Sequence, residues 1–451
     1  MPALPLGLEA YERSRGSVPE VRLVNLYLEE DKSGGSLDQV QRLQRPGLRT
    51  LVTFPAGVRG IFQCDGALSS ETFVVAANKF YSTDWATFTE LGTLANDGDT
   101  VSMAARTDML GIVTAAEFWV YDGATLVQVD LPDDAAPIDI EVLNSYFILP
   151  LSNGRFYWLD PSQIDFSDPD APLQFATAEA NPDGLFAVRR LRDDLFFCGP
   201  RTIEVWQATG DADATFTRAS GRTIDRGVQS RDAVAVFDNT LVFVGDDGIV
   251  YRISDTPQRI SSFGIEERIR KRSDLCSAFV FTTEGHKFYC LRIPGEGTFA
   301  YDAATNQWCE FATVGATVWR VHLGMDTPDG ALAADSTGKL FVLDPEEELD
   351  AGVAFARIVS GTVAIPSFRA ANYSIALWVG CRDEATISLR WKDALGEWTT
   401  PRTLTARAGS DIVNSWRLGA TRGAFRTFEI STVSPTIVRF SGATLNEARA
   451  T

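Results

Sequence analysis

Histidine is almost absent. The 451 residues hold two, His286 and His322, which excludes a multi-histidine metal centre. Cysteine is sparse as well. The six thiols, Cys64, Cys198, Cys276, Cys290, Cys309 and Cys381, are scattered and no two form a CxxC pair. Several sit in apolar runs such as Phe196-Phe197-Cys198 and Phe288-Tyr289-Cys290. Free buried thiols in a reducing compartment are expected rather than a disulfide framework. Positive charge is in deficit: 41 Lys and Arg stand against 60 Asp and Glu, a net charge of -19. That balance argues against a DNA-coating protein or a polybasic membrane-surface protein. No run approaches the roughly 18–20 apolar residues that cross a bilayer. The start, Met1-Pro2-Ala3-Leu4-Pro5-Leu6, has no basic leader, so neither a signal peptide nor a membrane anchor is expected. Long helical periodicity is nearly missing too; Glu266 to Arg272 has the length for one or two turns.

What the chain does contain is strand pattern. Short runs rich in Val, Ile, Phe, Tyr and Thr are separated by turn pairs: Asp65-Gly66, Asp122-Gly123, Asn153-Gly154, Asp183-Gly184, Asp247-Gly248 and Asp329-Gly330. A loose repeat runs from about residue 50 to about 350. Each unit has an apolar strand, a turn and a strand ending in an aromatic. The aromatic strands read Asn78-Lys79-Phe80-Tyr81, Phe118-Trp119-Val120-Tyr121, Gly154-Arg155-Phe156-Tyr157, Ile203-Glu204-Val205-Trp206, Gly248-Ile249-Val250-Tyr251, Thr298-Phe299-Ala300-Tyr301 and Gly338-Lys339-Leu340-Phe341. Their spacing of about 35–50 residues is that of a four-stranded propeller blade. The fold class expected is therefore all-β: a β-propeller of about six or seven blades. Stacking blades about an axis buries sheet faces that one blade cannot bury alone.

After the acidic break Pro345-Glu346-Glu347-Glu348-Leu349-Asp350 the pattern changes. Tyr373, Ile375, Leu377 and Val379 alternate, as do Ile387, Leu389 and Trp391, then Phe428 and Ile430, then Val438 and Phe440. Period two with one apolar face predicts a β-sandwich, jelly-roll-like. The domains expected are an extended N-terminal arm over 1–50, a propeller over 51–350 and a sandwich over 351–451. Within the arm, Val24 to Glu30 reads as one strand and Ser33-Gly34-Gly35-Ser36 as linker.

Several segments in this order resemble the packaged-DNA stabilisation proteins of short-tailed phages (podoviruses), also called tail accessory factors or tail hub and nozzle proteins. They are Val24-Asn25-Leu26-Tyr27, Arg45-Pro46-Gly47-Leu48, Gly57-Val58-Arg59-Gly60, Asn78-Lys79-Phe80-Tyr81, Val101-Ser102-Met103-Ala104 and Tyr121-Asp122-Gly123. The stretch from Gln174 to Leu185 follows, then Thr202 to Trp206 with Thr209-Gly210, Phe263-Gly264-Ile265-Glu266 and Trp308-Cys309. Leu418-Gly419 and Ser441-Gly442-Ala443 close the set. The resemblance implies a structural virion protein of a phage tail, assembled in the host cytoplasm. It implies a ring homo-oligomer, taken as a hexamer, below the head-tail adaptor and portal. The ring would enclose the DNA exit channel, stabilise packaged DNA and dock tailspikes or tail fibres and a plug or needle. The charge deficit agrees: a wall that passes DNA should not bind it, and Lys and Arg contacts supply most non-specific affinity. Ordinary solubility accounts for the same charge equally well.

Groups that could carry chemistry are few. Asp133-Asp134, Asp193-Asp194 and Asp246-Asp247 are carboxylate pairs suited to glycoside hydrolysis, yet they sit in turn contexts where Asp braces its own backbone. Asp165-Phe166-Ser167-Asp168-Pro169-Asp170 has the look of a calcium loop but lacks its glycine and closing glutamate. His286 and Cys290 share a strand face but have no second pair to complete a metal shell. No Gly-x-Ser-x-Gly elbow and no phosphate loop is present. The basic clusters are Arg189-Arg190 with Arg192, and Arg268-Ile269-Arg270-Lys271-Arg272; a solvated face or an acidic neighbouring subunit suits them better than phosphate. No catalytic, cofactor-binding or metal-ligating residue is assigned, no cofactor is expected, and the partner-contact residues are left open. A non-enzymatic structural role is expected. The alternatives are a carbohydrate-active propeller of glycosidase or sialidase type, although sialidase Ser-x-Asp-x-Gly-x-x-Trp boxes are missing, and a kelch-type protein-binding adaptor, suggested by Tyr301 to Trp308.

Overall fold

The computed structural model describes residues 3–10, 21–32, 39–64, 66–167, 173–178, 183–211, 214–254, 256–364, 372–394, 396–421 and 423–447. Ser33 to Ser36, Asp65, Asp168 to Asp170 and Glu179 to Pro182 lie outside the described residues. The chain forms a seven-bladed β-propeller, each blade a four-stranded antiparallel meander, followed by a two-sheet sandwich.

The seven first strands are Val58–Gln63, Ser102–Arg106, Glu141–Leu143, Ala187–Leu191, Val234–Phe237, Ser277–Thr283 and Val321–Thr327. Each touches the next and the last touches the first, so they form a closed ring about the axis. The seven aromatic-ended segments all fall on third strands: Lys79–Thr83, Glu117–Tyr121, Arg155–Leu159, Ile203–Ala208, Val250–Ile253, Gly297–Asp302 and Lys339–Asp344. Their rings fill the spaces between blades. Tyr121 meets Phe73 and Phe80 of the preceding blade edge-on, and Phe156 stacks on Phe197 of the following one. Burial follows position within the blade. The second strand Met109–Thr114 is buried at all six residues, because neighbouring blades cover both its faces. The outer strand Phe88–Thr93 is mostly exposed.

Ring closure uses a strand from before the first blade. Gly47–Thr53 forms the outer strand of blade 7, antiparallel to Lys339–Asp344 from Gly47↔Asp344 to Thr53↔Lys339. Its far end abuts the hairpin at Gly338, whose carbonyl accepts from the Phe54 amide at 2.8 Å. Gly338 has φ +94, and a Cβ there would stand 2.5 Å from the Phe54 carbonyl oxygen and 2.6 Å from that of Ala56. Gly338→Ala therefore meets both backbone strain and backbone overlap. It is expected to lower unfolding free energy by about 1–3 kcal/mol in a denaturant titration.

The sandwich draws on both ends of the chain. One sheet orders Leu26–Glu30, Val40–Gln44, Val438–Glu447, Asn372–Cys381 and Gly409–Trp416. The other orders Leu23–Val24, Arg357–Ala364, Phe425–Thr432, Ala385–Asp393 and Arg402–Ala406. Ile375, Leu377, Val379, Ile387, Leu389, Trp391, Phe428, Ile430, Val438 and Phe440 face the shared core. The alternation in sequence picked out these residues; the side chain of Tyr373 lies outside the described residues.

The division at residue 50 needs redrawing. The segment read as an extended arm supplies three sandwich strands and the start of the closing strand. Val24 also pairs in parallel with Glu310, so the outer strand of blade 6, Gln307–Phe311, runs on into the sandwich as one nine-stranded sheet. The physical reason is edge coverage: blade 6 would otherwise expose an unpaired strand edge. A single apolar cluster joins Phe281, Phe288, Phe311, Trp319 and Phe341 of blades 6 and 7, or of the link between them, to Leu4, Leu26, Val359 and Ile430.

Candidate functional site

Two polar constellations stand out. The first spans the propeller axis at the end where the first strands begin. Arg231, at the start of blade 5, donates from Nη2 to the Thr100 carbonyl at 2.7 Å and hydroxyl at 2.6 Å, and from Nη1 to the Ile138 carbonyl at 3.1 Å. Thr100 leads into blade 2 and Ile138 into blade 3, so this one side chain crosses the hub. Asp232 accepts from Arg231 at 2.8 Å and from the Thr100 hydroxyl at 2.5 Å. Beside it, Asp139 is buried and accepts from Arg189 at 2.5 Å, Ser102 at 2.6 Å and the Val188 amide at 3.0 Å. Arg59 binds Asp97 at 2.5 Å, the Thr114 hydroxyl at 3.0 Å and the carbonyl of Asp99 at 2.6 Å. Blades 1 to 5 are thus pinned to one another by charge-assisted bonds, which are strong in a shielded setting.

The second constellation welds the propeller to the sandwich. Arg45 is fully buried and pairs with the equally buried Asp350 at 3.0 Å. It donates to Asn25 Oδ1 at 2.8 Å and lies 4.6 Å and 4.4 Å from the ring centres of Trp319 and Phe355. Asn25 reaches both domains: its amide donates to the carbonyls of Ala312 at 2.9 Å and Ala356 at 2.7 Å. Burial pulls the Arg45 guanidinium below its ordinary value, and the Asp350 carboxylate opposes that. Burial also draws the nearby Arg357 down to about 10. The acidic break is a strap at this junction, since Glu346 and Glu348 both pair with Arg382 of the sandwich. The sequence alone assigns Asn25, Arg45 and Asp350 no role of their own. The available signal was a lone arginine before Pro46-Gly47 among apolar strands.

The residues singled out for chemistry do not converge. Asp133 and Asp134 form a turn with left-handed backbone, and Asp133 lies 3.5 Å from Arg155. Asp194 accepts from Gln207 and Arg222, each at 2.7 Å. Asp247 accepts from Tyr251 at 2.6 Å and from the Ile249 amide at 3.1 Å. The three lie in separate blades, and of them Asp247 braces its own turn through the Ile249 amide. Asp165 accepts from the Ser167 amide at 3.0 Å, while Asp168 and Asp170 lie outside the described residues. Among the described residues no cluster of three or more metal-ligating side chains occurs. All six cysteines are buried and unpaired with one another. Burial pushes the thiols of Cys64, Cys198 and Cys276 up to about 12.

The basic run lies on the helix Phe263–Lys271 and is paired internally: Arg259 and Arg270 with Glu266, Lys271 with Glu267, Arg268 with Glu296. Of the other cluster, Arg189 belongs to the hub, while Arg190 and Arg192 donate to the Arg192 carbonyl and Asn239.

The histidines have opposite environments. His286 Nδ1 lies 2.9 Å from Asp302, and its ring meets Tyr27 of the sandwich edge-on at 4.8 Å. The hydrogen bond to Asp302 raises its pKa, against burial, with Glu29 and Glu284 adding to the rise. His322 is lowered by burial, and its Nε2 donates to the Val58 carbonyl at 2.9 Å. A raised histidine stabilises fully below its unfolded value of about 6.5 and loses that contribution as pH rises through the folded value. A lowered one stabilises above about 6.5 and loses its contribution as pH falls through the folded value. Stability in denaturant titrations across this range is expected to peak near neutrality. His286→Gln should flatten the alkaline limb and His322→Gln the acid limb.

A seven-bladed propeller with a polar bridge across its hub, welded through its sixth and seventh blades to a sandwich, defines a propeller–sandwich scaffold. The family profile described as "Bacteriophage P22 Gp10, beta-propeller" matches residues 4–345, and the chain belongs to that family. The tail hub protein gp10 of Salmonella phage P22 is 24% identical over 250 residues, 50% of this chain and 52% of that protein. The chain thus spans about half the length of the curated relative it matches. Among solved structures, the computationally designed Ika8 protein is 15% identical with a TM-score of 0.44, covering 72% of this chain and 99% of its own. The WD40 propeller of Doa1 is 12% identical with a TM-score of 0.43, covering 66% of this chain and 96% of its own. Similarity at those scores carries no argument here.

Proposed function

We propose that this chain is a structural, non-enzymatic component of a phage tail, carried in the virion and assembled in the host cytoplasm. It forms a ring, a hexamer, below the portal and adaptor, encloses the DNA exit path, holds packaged DNA and offers docking sites for tailspikes or fibres and a plug. The observation that carries this reading is membership of the phage family across the whole propeller. The polar bridge across the hub supports one refinement. Arg231 and its partners cross the propeller axis at one end, so the DNA path runs between copies and not through a wheel. The net charge of -19 suits a wall that lets a polyanion slide. No helix among the described residues is long and apolar enough to cross a membrane.

The purified chain is expected to be monomeric or weakly associated alone and to close into a ring when mixed with portal–adaptor complexes, read by sedimentation and negative-stain imaging. A chain that stays monomeric and ignores connector complexes would contradict the proposal.

A further inference from the structure

At the end of the propeller where the first strands begin, the loops entering blades 2 to 6 leave a depression of about 500 Å³ over the bridged hub. Its lining carries Asp97, Asp99, Asp232 and Asp274 against one base, Arg231. Arg59 lies beneath, already engaged with Asp97. Two large apolar side chains stand unburied at its edge, Phe186 at 39% and Leu275 at 56% exposure. We propose that this axial mouth receives a short peptide segment of another protein, one in which a lysine or arginine neighbours an aliphatic or aromatic side chain.

The chemistry follows from the charge of the lining. Asp232 is committed to Arg231 and Thr100, and Asp97 to Arg59. Asp99 and Asp274 are exposed and carry the excess negative charge, although Asp99 faces Arg59 and Asp274 accepts from the Leu275 amide at 2.8 Å. An incoming cation completes that balance, and an acidic or neutral segment does not. Phe186 and Leu275 approach from blades 4 and 6 and offer an apolar anchor on each flank. A cavity of about 500 Å³ is of ligand-pocket size, so it takes a few side chains and not a folded face. The floor is rigid because the hub bonds already fix it, so little ordering cost falls on binding. The inference is independent of the ring and stands or falls without it.

The test uses the full chain as bait for displayed random heptapeptides, with two variants as controls: Phe186→Ser with Leu275→Ser, and Asp99→Asn with Asp274→Asn. All four positions are exposed, so both variants should keep the wild-type melt. Peptides enriched on the wild type should share a basic residue beside an apolar one, bind either variant roughly tenfold more weakly or worse, and weaken with added salt. No enrichment, enrichment of acidic peptides, or equal binding to wild type and variants would overturn the proposal. So would self-association of the wild type that both variants abolish, which would place a second copy in the mouth.

Discussion

A chain cut back to begin at Phe54 is expected to lose its cooperative fold rather than shed a loose arm. The cut removes the outer strand of blade 7, leaving Lys339–Asp344 as an unpaired edge on a wheel that closes through that pairing. It also removes Leu23–Val24, Leu26–Glu30 and Val40–Gln44 from the two sandwich sheets. Leu4, Leu6, Leu26, Tyr27, Leu28 and Leu48 leave the shared core with them. Each large apolar side chain withdrawn from a core costs about 2–5 kcal/mol, and the sum exceeds the roughly 5–15 kcal/mol that holds a typical domain folded. The expected result is insoluble expression, or a soluble product with no sharp thermal transition. A truncated chain that melts like the full one would show that these strands are dispensable.

Breaking the buried ion pair comes next in size. Asp350→Ala leaves the Arg45 guanidinium at 0% side-chain exposure without its counter-charge, and Arg45→Ala leaves the Asp350 carboxylate at 1% in the same position. Removing one partner of a buried pair costs about 3–5 kcal/mol, because the survivor stays desolvated and uncompensated. Arg45→Ala also opens a cavity between Trp319 and Phe355. The double variant Arg45→Met with Asp350→Leu should recover a large part of the loss, since replacing both charges by apolar groups removes the desolvation penalty. Denaturant titrations of the four proteins separate the charge effect from packing. A double variant as unstable as the worse single one would show that packing, and not charge, dominates the junction.

How far the sequence could be read follows from the range of the interactions. The seven third strands were visible because each carries its own local signal, an apolar run ending in an aromatic such as Tyr121, Trp206 or Tyr301. The sandwich core was visible for the same reason, in the period-two spacing of Ile375, Leu377 and Val379. The helix Phe263–Lys271 falls close to the Glu266 to Arg272 stretch that the sequence picked out. What stayed hidden was pairing at a distance. Asn25 bonds to Ala356, 331 positions away, and Arg231 to Thr100, 131 away. Nothing in the two residues of Leu23–Val24 announces that they bridge a propeller blade to a sandwich sheet. The acidic break was read as a boundary because charge clusters usually mark solvent. Asp350 instead turns inward to a buried arginine.

The role proposed for this chain is that of an inert, repeated wall piece of a tail. Electron cryomicroscopy of virions that carry it tests that most directly. Wheels of seven blades, each with a closed hub and an attached sandwich, should be arrayed about the tail axis with the DNA path between them. Virions lacking the chain altogether, or a wheel whose own axis is threaded by DNA, would contradict it.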